Sequence, residues 1–378
     1  MAVEHWLTLS MTRGLGPVLS RRIVDAAGSA EAACDADHLA HVDGIGERKA
    51  ASLKAGLRDG RREARRQLDV ADRLGLTVLS PDCDAWPPLL VGLGDAPLVL
   101  WAWGELEPRD LHAVSIVGSR KPTGYGREQA GRFARGFADA GLTVVSGGAY
   151  GVDTHAHRAA LLAHGGRTIV VLGCGCDVPY PPENERLFAE IAEGRGAIVS
   201  ELPPGTQPRR EHFPRRNRVI SGLSRGVVVI EAAERSGALI TARVAADDHN
   251  RPVFALPGRV DNEMAMGPLK LLADGARLAL SPEQVRDDLD PLPFTTVEAK
   301  PAPDLFTPPP PPPAAAPAPA ATPEERAILD ALADGPLGAD ALVDRAGLPA
   351  ATVTSRLTLM SLRRLVRRVG GNRYERVG

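Results

Sequence analysis

Ala113-Val114-Ser115-Ile116-Val117 runs directly into Gly118-Ser119-Arg120-Lys121-Pro122-Thr123-Gly124-Tyr125-Gly126. The first five residues are a short apolar, β-branched run closed by a glycine, the pattern of a strand buried on both faces. Such strands belong to parallel sheets covered by helices. Three further runs repeat the pattern: Thr143-Val144-Val145, Thr168-Ile169-Val170-Val171-Leu172 and Gly226-Val227-Val228-Val229-Ile230. The stretches between them, such as Arg127 to Ala140 and Ala238 to Asn250, are long enough for crossover helices, which implies right-handed βαβ units. The spacing predicts an α/β fold, a Rossmann-like doubly wound parallel sheet.

Outward from this centre the pattern changes. Residues 1–75 have helical periodicity and few strand formers, with small-residue turns at Gly14-Leu15-Gly16-Pro17 and Val42-Asp43-Gly44-Ile45-Gly46-Glu47-Arg48-Lys49-Ala50. The second turn has the form of a helix-hairpin-helix (SAM-like), which either offers backbone amides to a phosphate or serves as a packing unit. Towards the other end, residues 308–320 are a Pro/Ala tract opened by the six prolines Pro308 to Pro313, a semi-rigid linker. Beyond it, Thr322-Pro323-Glu324-Glu325 starts a helix, and Ala346-Gly347-Leu348 turns into a third helix expected over Ala350 to Val369. That helix would carry Arg356, Arg363, Arg364, Arg367 and Arg368, and Gly370-Gly371-Asn372-Arg373-Tyr374 reads as the wing of a winged helix. Such a module suits duplex DNA or protein contacts equally. The expected division is 1–75 helical, 76–290 Rossmann-like, 291–321 linker and 322–378 winged helix.

With 44% hydrophobic and 24% charged residues, the chain has the mix of a protein that buries a sizeable core. Its net charge of −2 argues against a wholly basic coat, so any nucleic-acid contact must come from locally clustered arginines. Cys34, Cys83, Cys174 and Cys176 have no zinc or CxxC spacing and read as reduced thiols. No stretch approaches the ~20 apolar residues of a membrane span, and a cytoplasmic protein is expected.

The turn at Gly118-Ser119-Arg120 lies at the carboxyl end of a strand, where open α/β sheets hold ligands. Its glycine lets backbone amides approach an anion, although a tight βα loop needs the same residues. Gly-Lys-Ser/Thr of a Walker loop and G-x-G-x-x-G with an acidic partner are both missing, which removes support for ATP hydrolysis and NAD binding. Ser146-Gly147-Gly148-Ala149-Tyr150-Gly151-Val152-Asp153 is a second glycine-rich turn. His155 and His157, two apart on one helix, face different sides and read as polar helix residues rather than metal ligands. The Cys174/Cys176 pair lacks a positioned base, and Glu231 and Glu234 lack a nucleophile or metal set, so capping or arginine pairing suits them better. The most informative stretch is Arg209-Arg210-Glu211-His212-Phe213-Pro214-Arg215-Arg216-Asn217-Arg218, with five arginines to one acid. Guanidinium beside an aromatic suits phosphates and unstacked bases, hence single strands. Ser236-Gly237 offers one more anion-receiving helix start.

Taken together, Ile116-Val117-Gly118-Ser119-Arg120, Gly151-Val152-Asp153, Tyr180-Pro181-Pro182-Glu183-Asn184, Phe213-Pro214-Arg215-Arg216-Asn217-Arg218 and Glu234-Arg235-Ser236-Gly237-Ala238-Leu239-Ile240-Thr241-Ala242 resemble the DprA (Smf) family of DNA-processing proteins. The resemblance covers roughly residues 112–290 strongly and the flanks loosely. It implies an extended Rossmann fold, a homodimer, single-stranded DNA binding and delivery of that DNA to the RecA recombinase during natural transformation. The expected DNA-binding residues are Gly118, Ser119, Arg120, Asn184, Arg209, Arg210, Phe213, Arg215, Arg216, Asn217, Arg218, Ser236, Gly237 and Thr241. No catalytic residue, metal or cofactor is expected. The family usually has Ser-Gly-Leu-Ala followed by a basic residue where this chain has Ser146-Gly147-Gly148-Ala149-Tyr150, and Pro-Gly-Ser where it has Pro257-Gly258-Arg259. Ala265 and Leu269 replace a Ser and an Asn of the family pattern. Two competing readings are an enzyme acting on nucleotides or phosphoribosyl groups, and a transcriptional regulator built on the winged helix.

Overall fold

The computed structural model describes residues 2–35, 39, 42, 45–289, 322–333, 335–362, 365–369 and 373–376. The chain divides into two compact units, Met1–Ala302 and Pro303–Gly378.

In the larger unit, α1 (Ala2–Met11), α2 (Pro17–Ala27), α3 (Ala30–Ala33) and the 28-residue α4 (Glu47–Leu74) come first. Trp6, Leu9, Ile23, Leu53 and Leu57 form their core. That core also takes in Leu98 and Val99 just before the sheet strand Leu100–Gly104 and Trp101 within it, so helices and sheet share one apolar contact. Gly44, central to the helix-hairpin-helix reading, lies outside the described residues.

The sheet has nine strands: β1 (Thr77–Leu79), β2 (Leu100–Gly104), β3 (Ala113–Val117), β4 (Thr143–Ser146), β5 (Thr168–Leu172), β6 (Gly196–Ser200), β7 (Val227–Val229), β8 (Val253–Ala255) and β9 (Arg277–Leu278). Their order is β1-β2-β6-β5-β4-β3-β7-β8-β9. The strands from β6 to β9 are parallel, as the apolar runs predict. The edge differs from that expectation, because β2 runs antiparallel to β6 and β1 antiparallel to β2. No crossover helix separates β1 from β2, so the returning strand can only pair antiparallel.

One face of the sheet is covered by α5 (Gly124–Asp139) and α6 (Val152–Leu161), with Phe133, Phe137, Ala156 and Ala160 against Val114, Ile116 and Val228. The other face is covered by α8 (His212–Gly222) and α9 (Ala238–Arg243), following α7 (Glu185–Ala192), with Val219, Ile220 and Ala242 against Val117, Val145 and Val229. Helix α5 starts three residues earlier than the sequence suggests because the Thr123 side chain caps it, accepting from Gly126 N at 3.2 Å. Helix α9 gives way to a π turn over Val244–Asp248 and stops before Asn250, which has φ 51°. Helices α10 (Met266–Ala273) and α11 (Pro282–Leu289) complete the unit. Strands β4 to β6 lie on one side of β3 and β7 to β9 on the other, so the chain reverses its winding between β3 and β7.

The smaller unit consists of α12 (Pro323–Ala331), β10 (Leu337–Gly338), α13 (Ala339–Ala346), α14 (Ala350–Leu362), β11 (Val366–Val369) and β12 (Arg373–Arg376), the winged-helix order. A capping box between Thr322 and Glu325 starts α12. The third helix expected to reach Val369 ends at Leu362: Val366–Val369 is a strand of the wing, where alternation places Val366 in the core beside Ile328, Leu342 and Met360. Arg367 and Arg368 therefore belong to the wing, and Arg363 and Arg364 lie outside the described residues.

Candidate nucleic-acid interface

Between the carboxyl ends of β3 and β7 and the starts of α8 and α9 opens a cleft of about 780 Å³. It sits at the switch of winding direction, where doubly wound sheets leave a crevice between diverging loops. Ten of the expected residues meet there: Gly118, Ser119, Arg120, Arg210, Phe213, Arg216, Asn217, Ser236, Gly237 and Thr241. Asn184, Arg209, Arg215 and Arg218 do not line it.

The Gly118-Ser119-Arg120 turn is not a free anion nest. Ser119 N donates to Glu231 O at 2.6 Å and Ser119 O accepts from Val152 N at 3.1 Å, which ties the turn to β7 and α6. The second glycine turn is likewise occupied from within. Ala149 N donates to the Asp153 carboxylate at 3.2 Å, and Gly148 O accepts from Asn184 Nδ2 at 3.0 Å. Asn184 is thus a buried clamp, also donating to Thr154 Oγ1 at 2.7 Å, and not a surface contact. The positive charge of the cleft comes from guanidinium groups rather than backbone amides.

Those guanidinium groups fall into two kinds. Arg120, Arg210 and the unforeseen Arg235 are exposed and form no ion pair among the described residues. Arg216 is only 7% exposed; it donates to Gly147 O at 2.6 Å and to Val171 O, bridging the ends of β4 and β5 beneath the cleft. Gly147 has to be glycine, since a Cβ there would lie 2.6 Å from the Arg216 guanidinium and 2.8 Å from an Asp153 oxygen. Burial pushes Arg216 down to about 10, with Asp153 opposing, and burial pushes the Asp153 carboxyl up against the pull of Arg216. Arg216 remains a cation at neutral pH and lends charge from below. Arg218, expected at phosphates, instead pairs with Glu201 and donates to Asp95 O. Arg209 and Arg215 are exposed away from the cleft.

Phe213 stands half-buried at the start of α8. The Arg120 guanidinium lies 5.2 Å from its ring centroid, and Tyr180 lies 5.7 Å away at an interplanar angle of 41°. Tyr180 was missed by residue reasoning because the loop around it is dominated by prolines. Arg235 was missed because it stands alone between Glu234 and Ser236. Asn217 holds the opposite wall in place, donating to Gly237 O at 3.2 Å.

The remaining reactive side chains are occupied. Glu231 is a cap, accepting from Thr123 N at 2.8 Å and Thr123 Oγ1 at 2.7 Å, and Glu234 lies 3.8 Å from Lys270. Burial raises the Cys174 thiol to about 11 and pushes Cys176 up further, so both stay protonated. His157 is not a surface polar residue: it is fully buried, its Nδ1 2.7 Å from Thr168 Oγ1.

Residues 77–290 match the family model of DNA recombination-mediator protein A, and residues 310–372 match the DprA winged helix domain. This chain belongs to the DprA family. Among its DprA relatives, Protein Smf of Synechocystis is 39% identical over 296 residues, spanning 77% of this chain and 73% of the relative. Protein Smf of Escherichia coli is 42% identical over 212 residues, 56% of each chain. The X-ray structure of DprA from Streptococcus pneumoniae superposes with a TM-score of 0.68 at 32% identity, covering 78% of this chain and 99% of that one. The resemblance read from the motifs at 116–120, 180–184, 213–218 and 234–242 is thereby established as kinship, and the DprA sheet is the doubly wound one the apolar runs predict.

Proposed function

We propose that this protein binds single-stranded DNA in the cleft between β3 and β7 and hands it to the RecA recombinase during natural transformation, acting by binding and not by catalysis. One observation carries the reading: three exposed arginines that form no ion pair among the described residues, Arg120, Arg210 and Arg235, surround a cleft whose wall is the Tyr180–Phe213 aromatic pair. Guanidinium groups meet phosphates, and aromatic rings meet bases that only a single strand exposes. Membership of a DNA recombination-mediator family supports the same direction. A cytoplasmic homodimer fits this role. Among the described residues no helix is long and apolar enough to cross a membrane.

Fluorescence anisotropy tests the binding step. Three phosphate contacts predict a single-strand affinity whose logarithm falls with log salt at a slope of about −2. Equal affinity for duplex and single strand would overturn the reading. The hand-over step predicts that the protein helps RecA displace a single-strand-coating protein; a RecA filament forming at the same rate without it would remove that step.

A further inference from the structure

Of the four tyrosines in this chain, three stand at the carboxyl edge of the sheet: Tyr125 at the start of α5, Tyr150 on the turn between β4 and α6, and Tyr180 in the loop after β5. Only 4% of the residues are aromatic, so the concentration at one edge calls for a cause. Tyr180 is half-buried behind Phe213. Tyr150 is different, being 42% exposed. Its ring borders a small niche shared with Arg120, Gly147, Tyr180, Phe213 and Arg216, continuous with the cleft through Arg120, Phe213 and Arg216.

An exposed ring is ordinarily free to rotate. This one is fixed at its far end, where its hydroxyl donates to the Glu183 carboxylate at 2.6 Å. A ring held in one orientation while facing solvent has little conformational freedom left to lose when a flat partner lies on it. The neighbouring rings offer a base only their outer faces. One face of Phe213 is covered by Arg120 at 5.2 Å. The Tyr180–Phe213 centroid separation of 5.7 Å is short of the roughly 7 Å, twice the ~3.4 Å stacking rise, that a base between two rings requires.

We propose that Tyr150 is a further base-stacking residue at the mouth of the cleft: one nucleobase of the bound strand lies on its ring while the adjoining phosphate meets Arg120. Glu183 is the positioning residue that holds the ring for it. The proposal rests on the single-strand reading above and names a further residue that recognises the bases.

The experiment compares a labelled oligothymidylate with the same strand carrying abasic sites, measured by anisotropy over a salt series. Tyr150→Ala is expected to weaken the oligothymidylate about tenfold, at an unchanged salt slope, while leaving the abasic strand bound as before. Tyr150→Phe keeps the ring but loses the hydroxyl that Glu183 holds, so it is expected to lose the same part of the affinity as Glu183→Ala and no more. Glu183→Ala loses part of the affinity, and Glu183→Gln, which retains an acceptor oxygen, restores it. The idea falls if Tyr150→Ala weakens both strands alike, alters the salt slope, or leaves the oligothymidylate unaffected. A wild-type protein that binds neither strand refutes the single-strand reading itself, an outcome distinct from failure of the stacking assignment.

Discussion

Arg215, Arg216 and Arg218 are near neighbours in the sequence and have three different fates. A helix turns by about 100° per residue, so α8 directs Arg216 beneath the sheet edge, Arg218 towards Glu201 and Arg215 into solvent. The density of charge was legible in the sequence; its direction was not, because direction depends on which face of α8 meets the sheet. Arg120→Ala is therefore expected to lower single-strand affinity several-fold whatever the base sequence, and to make the salt slope shallower by about 0.7, with no change in denaturation midpoint. Arg216→Ala is expected to act on the fold. Its loss leaves the Gly147 and Val171 carbonyls without their donor and takes from Asp153 the stronger of its two cationic neighbours, costing about 2 to 4 kcal/mol in urea unfolding. An Arg216→Ala protein with wild-type stability and impaired binding would return Arg216 to the phosphates.

At the scale of elements, the strands that were legible are those long enough to show an unbroken apolar run, β3, β5 and β7 foremost. Strand β9 was not, since two residues carry no period, and the antiparallel edge of β1 and β2 follows from chain routing rather than side-chain pattern. Helix α6 was legible as a helix but not as a buried one. Packed between the sheet and its neighbours, it places His157 wholly inside. Thr168 Oγ1 donates to Val144 O at 2.6 Å, so His157 Nδ1 must donate to Thr168, and Nε2 is a buried acceptor without a partner among the described residues. Protonation would put a charged N–H where nothing accepts it, and burial lowers His157 from 6.5 to about 3. Between those two values the unfolded chain takes up a proton that the folded chain refuses, so stability is full above pH 6.5 and falls as pH falls towards 3. The loss attributable to His157 is on the order of 5 kcal/mol. Urea unfolding at pH 7, 5.5 and 4.5 checks this: His157→Asn should start less stable at pH 7 but decline less steeply. Equal slopes in the two proteins would assign the acid sensitivity elsewhere.

For the whole molecule, the question is whether both units grip the same strand. The smaller unit has its own core, with Ile328, Leu342, Val353 and Met360 wholly buried, so it does not rely on the sheet domain for stability. Among its described arginines, Arg356 is paired with Glu324 at 2.7 Å and Arg367 with Glu375. In contrast, the arginines of the sheet cleft that face solvent form no such pairs among the described residues. The residues that line the cleft and form its aromatic wall all lie in the larger unit. A chain ending at Ala302 is expected to keep its single-strand affinity and salt slope, and to lose one of two transitions in calorimetry. If the winged helix also held the strand, tethering would have raised the affinity of the intact protein by about 10²-fold or more. Truncation would then forfeit that factor, and a loss of this size would move the winged helix from a separate partner-facing module into the DNA path.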